Sequence, residues 1–167
     1  MKWICIPVIL LCAYCAGKGL YIKLNERQRL LCGICGFIRA ASSEIRVRLT
    51  PLDRLPEEAA RSDDSPEFLQ VCAQRLRDGD GFHDAWLYSV RESPDMQLLR
   101  DSERSELERL GLSLGYYDAE GELALLLQAF EYFSDVRSDS ADELKKKSGM
   151  YMTCSMLTGL AIVLVLL

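Results

Sequence analysis

The chain has 167 residues, with 25 acidic and 20 basic side chains, a net charge of −5 and one histidine. That length suffices for one compact domain with appendages, and the acidic balance argues against nucleic acid as a partner. No phosphate loop, dinucleotide glycine motif or zincin motif occurs, which removes the common signatures of nucleotide and metal enzymes.

The first element is an uncharged run, Trp3–Gly17 (WICIPVILLCAYCAG). If Lys18 snorkels its ammonium to the headgroups, the apolar stretch extends to Ile22, about 20 residues. As a helix rising about 1.5 Å per residue it crosses a hydrocarbon core of about 30 Å. A cleaved signal peptide is the competing reading. Its n-region would hold only Lys2, however, and its best cleavage position, Ala13-Tyr14-Cys15, is poor. A lipoprotein box needs small residues before Cys12 or Cys15, where Leu11 and Tyr14 stand. The expectation is an uncleaved membrane anchor over residues 1–23.

Cys12, Cys15, Cys32 and Cys35 form C-x2-C-x16-C-x2-C, the nominal spacing of a two-knuckle zinc site. A zinc ribbon must fold back between its knuckles, and the first pair is the tail of the uncharged run, where a turn would strand backbone groups in lipid. The helical reading fits better. Leu30/Leu31, Ile34, Phe37/Ile38, Ala41, Ile45 and Leu49 recur every three or four residues, one apolar stripe on a helix. On that helix Cys15 and Cys32 would stand about 26 Å apart, too far to share an ion. Gly33 and Gly36 count against a helix interior and mark a kink or a close helix contact.

Thr50-Pro51 ends this helix and starts the next, PLDRLPEEAARS, with Thr as cap and Pro at the first position; Pro56 keeps it short. Ser65-Pro66-Glu67 repeats the start signal before PEFLQVCAQRLRDG, which sets Phe68, Leu69, Val71/Cys72 and Leu76 on one face and stops at Gly79. FHDAWLYSVRE aligns Phe82, Ala85/Trp86 and Val90, and Ser93-Pro94 breaks it. Ser102, with Glu106 nearby, opens ERSELERLGLSLG, which ends at Gly111 or Gly115; this G-x-x-x-G reads as helix capping. Asp118 caps the last helix, whose stripe is Leu123, Leu126/Leu127, Phe130 and Phe133. That helix leads into the final uncharged run, the 19 residues Gly149–Leu167 (GMYMTCSMLTGLAIVLVLL). Within the two runs, Ala13-x-x-x-Gly17 and Ser155-x-x-x-Gly159 are small-residue pairs suited to close packing of membrane helices.

Charge orders these elements. Lys18, Lys23, Arg27 and Arg29 follow the first run, and Lys145, Lys146 and Lys147 precede the second. No lysine lies between Leu24 and Leu144, and residues 53–143 hold 23 acids against 9 arginines. Positive charge beside membrane spans stays in the cytoplasm, which puts the acidic middle in the cytoplasm and both termini outside. Thiols there are reduced, so Cys32, Cys35 and Cys72 are expected to be free. The fold class that follows is all-α: a cytoplasmic helical bundle of about five to six helices (residues 24–147) between two transmembrane helices (1–23 and 148–167). No catalytic, cofactor-binding or metal-binding residue is assigned. His83 beside Asp84 implies no triad, because neighbours on a helix point apart.

The order of a span, a long helix ending in SSEIRVRLTPLDRL, a Trp-bearing FHDAW helix, LSLGYYDAEGEL and a final span resembles the stage III sporulation protein AB family of spore-forming bacteria. The elements that carry the resemblance are E-I-x-x-x-x-T-P-L (Glu44, Ile45, Thr50, Pro51, Leu52) and L-G-x-x-D (Leu114, Gly115, Asp118). The resemblance covers nearly the whole chain. It implies a cytoplasmic domain similar to type II secretion platform proteins, and membership of the channel complex between mother cell and forespore during engulfment. It also implies a cytoplasmic partner, the stage III sporulation protein AA ATPase, alongside other membrane proteins of the channel, with a homo-oligomer left open. The expected function is a non-enzymatic platform in the mother-cell membrane whose acidic surface suits a basic patch on a partner. A small membrane enzyme using His83 or the carboxylates, and a zinc-dependent regulator, are the alternatives. Thr50, Pro51, Trp86, Gly115 and Asp118 are candidate partner-contact or structural residues. Ala13, Gly17, Ser155 and Gly159 are candidate membrane-helix packing residues.

Overall fold

Among the described residues the apolar stripes of the sequence become six α-helices in a computed structural model: α1 (Lys2–Arg48), α2 (Arg54–Ala59), α3 (Glu67–Arg77), α4 (Phe82–Glu92), α5 (Asp101–Ser113) and α6 (Ala119–Leu166). A 3-10 turn, Pro94–Leu98, joins α4 to α5. The structure describes residues 2–48, 54–62 and 65–166, with side chains over 21–46, 54–62 and 65–147. No strand occurs among the described residues, so the all-α expectation holds.

The chain divides into two units, Arg29–Arg137 and a second made of Met1–Gln28 with Ser138–Leu167. In the first unit the stripe of α1 is buried as the period requires: Leu30, Leu31, Ile34, Phe37, Ile38, Ala41 and Ile45 all lie in the core. Phe68, Leu69 and Cys72 of α3, Phe82, Ala85, Trp86 and Val90 of α4, and Leu107 and Leu110 of α5 join the same cluster. From α6 come Leu126, Ala129 and Phe133. Leu127, expected on that stripe, is instead exposed. The buried register of α6 runs 126, 129, 133, so a residue one place on from Leu126 turns away from the core by about 100°. Arg39 of α1 lies over the Phe130 ring at 5.0 Å, closing the edge of the core with a cation–π contact.

At the centre stands Trp86, with no exposed surface. Its ring meets Phe37 at 5.5 Å, Phe68 edge-on at 5.7 Å and Phe82 at 5.7 Å. Its Nε1–H donates to the Leu107 carbonyl of α5 at 2.9 Å, which satisfies the polar end of a buried indole. Gly111, one turn further along α5, admits this ring: a Cβ there would sit 2.0 Å from Trp86 Cδ1. Gly111 is therefore not a helix stop but an interior packing position, and of the two glycines expected to end α5 the chain uses Gly115, at φ +93°. Gly36 of α1 shows the reverse: its Cβ position meets open space, so no close helix contact explains it.

Two helix starts differ from their sequence signals. Ser65 does not cap α3; the helix begins at Glu67 after Pro66, with no local side-chain cap. The Phe68 N–H donates instead to Asp95 Oδ2 at 3.2 Å, a cap supplied from the 3-10 turn. Ser102 does not cap α5, which begins at Asp101; Glu103 reaches back to accept from the Arg100 N–H at 2.9 Å. Asp118 does cap α6, its Oδ1 accepting from the Gly121 N–H at 3.1 Å. Thr50 and Pro51 lie outside the described residues.

Cys12, Cys15, Cys32 and Cys35 all belong to α1, without the fold-back that a zinc ribbon requires. Cys32, Cys35 and Cys72 carry free thiols, with Cys32 exposed and the other two buried. In the second unit, Lys147 pairs with Glu143 one turn earlier on α6. Among the described residues no helix is long and apolar enough to cross a membrane. The uncharged runs at 3–17 and 149–167 lie where side chains are not described, so the two expected spans remain a reading of the sequence.

Candidate functional site

Among the described residues, His83, Asp118 and Glu122 meet at the α5–α6 turn. The groove between α5 and α6, lined by Glu106, Arg109, Leu110, Leu125 and Gln128 among others, encloses about 10 Å³, room for no more than a water.

The turn is built in four steps. Leu114 ends α5 as a buried anchor, its N–H bonded to the Leu110 carbonyl at 3.1 Å. Gly115 then reverses the chain in the left-handed region, where a Cβ is costly, and its N–H donates to Glu122 Oε1 at 2.8 Å. His83 of α4 brings Nε2 to 3.0 Å from the Leu114 carbonyl. A carbonyl only accepts, so this nitrogen carries the proton and the imidazole tethers α4 to the turn. Finally Asp118 caps α6. Gly121 allows the close fit, since a Cβ there would lie 2.9 Å from both Asp118 Oδ1 and Tyr117 Cβ. This backbone holds two tyrosines outward: Tyr116 is 75% exposed and Tyr117 58%. Tyr116 leans on the His83 ring at 5.3 Å between centroids.

Of the residues singled out in sequence, Gly115 and Asp118 meet in this turn. Trp86 does not; it lies wholly inside the core and reaches the surface only through the helices it joins. Ala13 and Gly17 belong to α1 and Ser155 and Gly159 to α6, but their side chains lie outside those described. Sequence reasoning missed Tyr116, Tyr117, Gly121 and the tether from His83. The adjacent tyrosines between a glycine and a helix cap were the available signal, because a short turn buries little.

Elsewhere the shifted titratable groups owe their shifts to burial and ion pairing. Burial pushes the Cys72 thiol up to about 12, against a weaker opposing hydrogen bond with Ser89, so it is no nucleophile. Cys35 is raised, first by burial, with Arg137 and Arg39 opposing. Glu108 is held low by the Arg91 guanidinium, which forks onto both its oxygens at 3.0 and 3.1 Å. No group of three or more His, Cys, Asp and Glu able to hold a metal occurs among the described residues.

The model of the stage III sporulation protein AB family matches residues 2–167. The chain belongs to that family. No curated protein and no solved structure matches it. In this member of the stage III sporulation protein AB family, Leu114, Gly115 and Asp118, the residues of the L-G-x-x-D element, are the anchor, reversal and cap of the braced turn.

Proposed function

We propose that the protein is a non-enzymatic membrane platform of the sporulation channel between mother cell and forespore, and that its central helical unit docks the stage III sporulation protein AA ATPase in the cytoplasm. In this reading the uncharged runs at residues 3–17 and 149–167 are membrane helices, with Ala13, Gly17, Ser155 and Gly159 at close helix contacts and both termini outside. The observation that carries the proposal is the pairing of family membership over residues 2–167 with an end-to-end charge pattern: uncharged runs, basic junctions and an acidic middle without lysine. The core supports it by being a scaffold. Two of its polar side chains, His83 and Trp86 of α4, bond to the backbone carbonyls of Leu114 and Leu107 and so tie α4 to α5 and its end.

Topology and recruitment test the proposal. Cys32 is the reporter to use, because it is exposed, whereas Cys72 is buried with a thiol raised to about 12. With the other cysteines replaced, a membrane-impermeant maleimide is expected to label Cys32 only after lysis, and the full chain to co-purify with the ATPase from sporulating cells. Labelling of Cys32 in intact cells would reverse the orientation and leave no cytoplasmic platform.

A further inference from the structure

We propose that the α5–α6 turn is the docking surface of this platform and that its occupant is an arginine-bearing basic face of a protein partner; the inference rests on the platform reading given above. Three observations meet at the turn. Tyr116 and Tyr117 are large, exposed rings on a backbone fixed by the Gly115–Glu122, Leu114–His83 and Asp118–Gly121 hydrogen bonds. A backbone that is already fixed lessens the entropy lost on binding, and tyrosine is over-represented among the residues that dominate interfaces. The second observation is charge. From Leu110 to Val136 there are five acids (Asp118, Glu120, Glu122, Glu131 and Asp135) and no lysine or arginine. An approaching cation meets no like charge in that segment, while an acidic partner would be repelled.

The third observation selects the cation. Elsewhere on the surface the chain shows how it treats an exposed tyrosine: Arg75 lies over the Tyr88 ring at 3.6 Å while its Nη1–H donates to Asp80 Oδ2 at 2.7 Å. A guanidinium held between a ring face and a carboxylate uses both the planar π surface and the fork of donors that lysine lacks. At the α5–α6 turn the same two kinds of group occur in one short segment, Tyr116 and Tyr117 followed by Asp118 and Glu120, and among the described residues no cation of the chain lies over either ring. The turn thus offers to a partner's arginine what the α3–α4 loop fills internally.

The test uses the full chain in detergent and a fluorescein-labelled helical peptide carrying four arginines, with lysine and glutamate versions of the same peptide. Anisotropy is expected to show binding of the arginine peptide, several-fold weaker binding of the lysine peptide and none of the glutamate peptide. Tyr116→Ala with Tyr117→Ala is expected to weaken the arginine peptide roughly tenfold, and Tyr116→Phe with Tyr117→Phe to restore it, since the ring face is kept. Circular dichroism of the double alanine variant reports whether the fold is intact; Tyr117→Ala alone, which leaves the His83 contact in place, should still lose about threefold. Unchanged binding in the alanine variants, or equal affinity for the arginine and lysine peptides, overturns the proposal in favour of a diffuse acidic surface. A photo-crosslinker at position 117 in sporulating cells separates the two readings. Crosslinking to another copy of this chain, or none while the ATPase still co-purifies, sinks the surface and leaves the platform. Failure of the wild-type chain to recruit the ATPase, with peptide binding intact, sinks the platform and leaves the surface.

Discussion

Gly111 and Gly115 are four residues apart, yet they serve two regions with opposite demands. At the closed α4–α5 contact, Gly111 is needed for what lies outside it: the Trp86 ring occupies the place of a side chain, 2.0 Å from a Cβ. At the open α5–α6 turn, Gly115 is needed for its own backbone, at φ +93°. The first region spends its polar groups on holding two helices in contact, Trp86 Nε1–H on the Leu107 carbonyl. The second spends them on holding a loop still so that rings face solvent. The proposed platform would need both, a core that does not shift and a surface that is already in its bound shape.

The closed region should break first. Gly111→Ala is expected to destabilise the full chain by about 3 kcal/mol or more, because the ring it meets is wholly buried and cannot retreat. Thermal unfolding in detergent, followed by far-UV circular dichroism, measures this. The informative control is a double-mutant cycle. Trp86→Ala alone should cost about 3–5 kcal/mol through the cavity it leaves, but Gly111→Ala added to it should cost little, since the clash is gone. Additive losses would show that the contact is not what requires the glycine.

The open region should respond more mildly and differently. Gly115→Ala is expected to cost about 1–2 kcal/mol for a Cβ in the left-handed region, and Gly115→Asn less, because asparagine tolerates that conformation. Trp86→Ala should not relieve either loss, which distinguishes the backbone cause from the packing one. Asp118→Ala is expected to cost about 1 kcal/mol through the lost cap on Gly121. If Asp118→Ala left the melting curve and the arginine-peptide affinity of the turn unchanged, the hydrogen bonds described there would not be what orders the tyrosines.

The same contrast explains what the sequence made legible. The α1 stripe, the α4 stripe and the Asp118 cap depend on neighbours within one or two turns, so periodicity and capping rules found them. Local rules offer Gly111 as well as Gly115 as a stop, because they treat a glycine near a helix end as punctuation, and nothing local says that a tryptophan 25 residues earlier lies against Gly111. Leu126 and Leu127 both fit one broad stripe in sequence, and only packing against the rest of the core decides which faces inward. The start of α3 failed for the same reason as Gly111: its cap, Asp95, comes from the 3-10 turn. The braced turn was half legible. Its glycine and cap carry sequence signals, whereas the His83 tether is a contact across 31 positions.

Asp95 offers the finest test, because it caps a helix from a half-buried site while Asp118 does so from an exposed one. Burial raises its pKa most strongly, the Phe68 N–H opposes this, and the nearby Glu67 charge adds to the rise. One carboxylate oxygen, Oδ1, is buried without a partner, which is where the cost of the ionised form falls. The folded chain therefore holds this proton more tightly than the unfolded one. The stability linked to Asp95 is complete below the ordinary aspartate range and is lost as pH rises through its raised value. Asp95→Asn keeps an oxygen acceptor for the Phe68 N–H and removes the charge. The variant is expected to unfold no more easily than wild type at neutral pH, and its melting temperature should fall less between about pH 4 and pH 6. An unchanged slope over that interval, measured on the full chain, would place the titrating group elsewhere; a variant destabilised at neutral pH would mean that the ionised carboxylate, not just its oxygen, holds the start of α3.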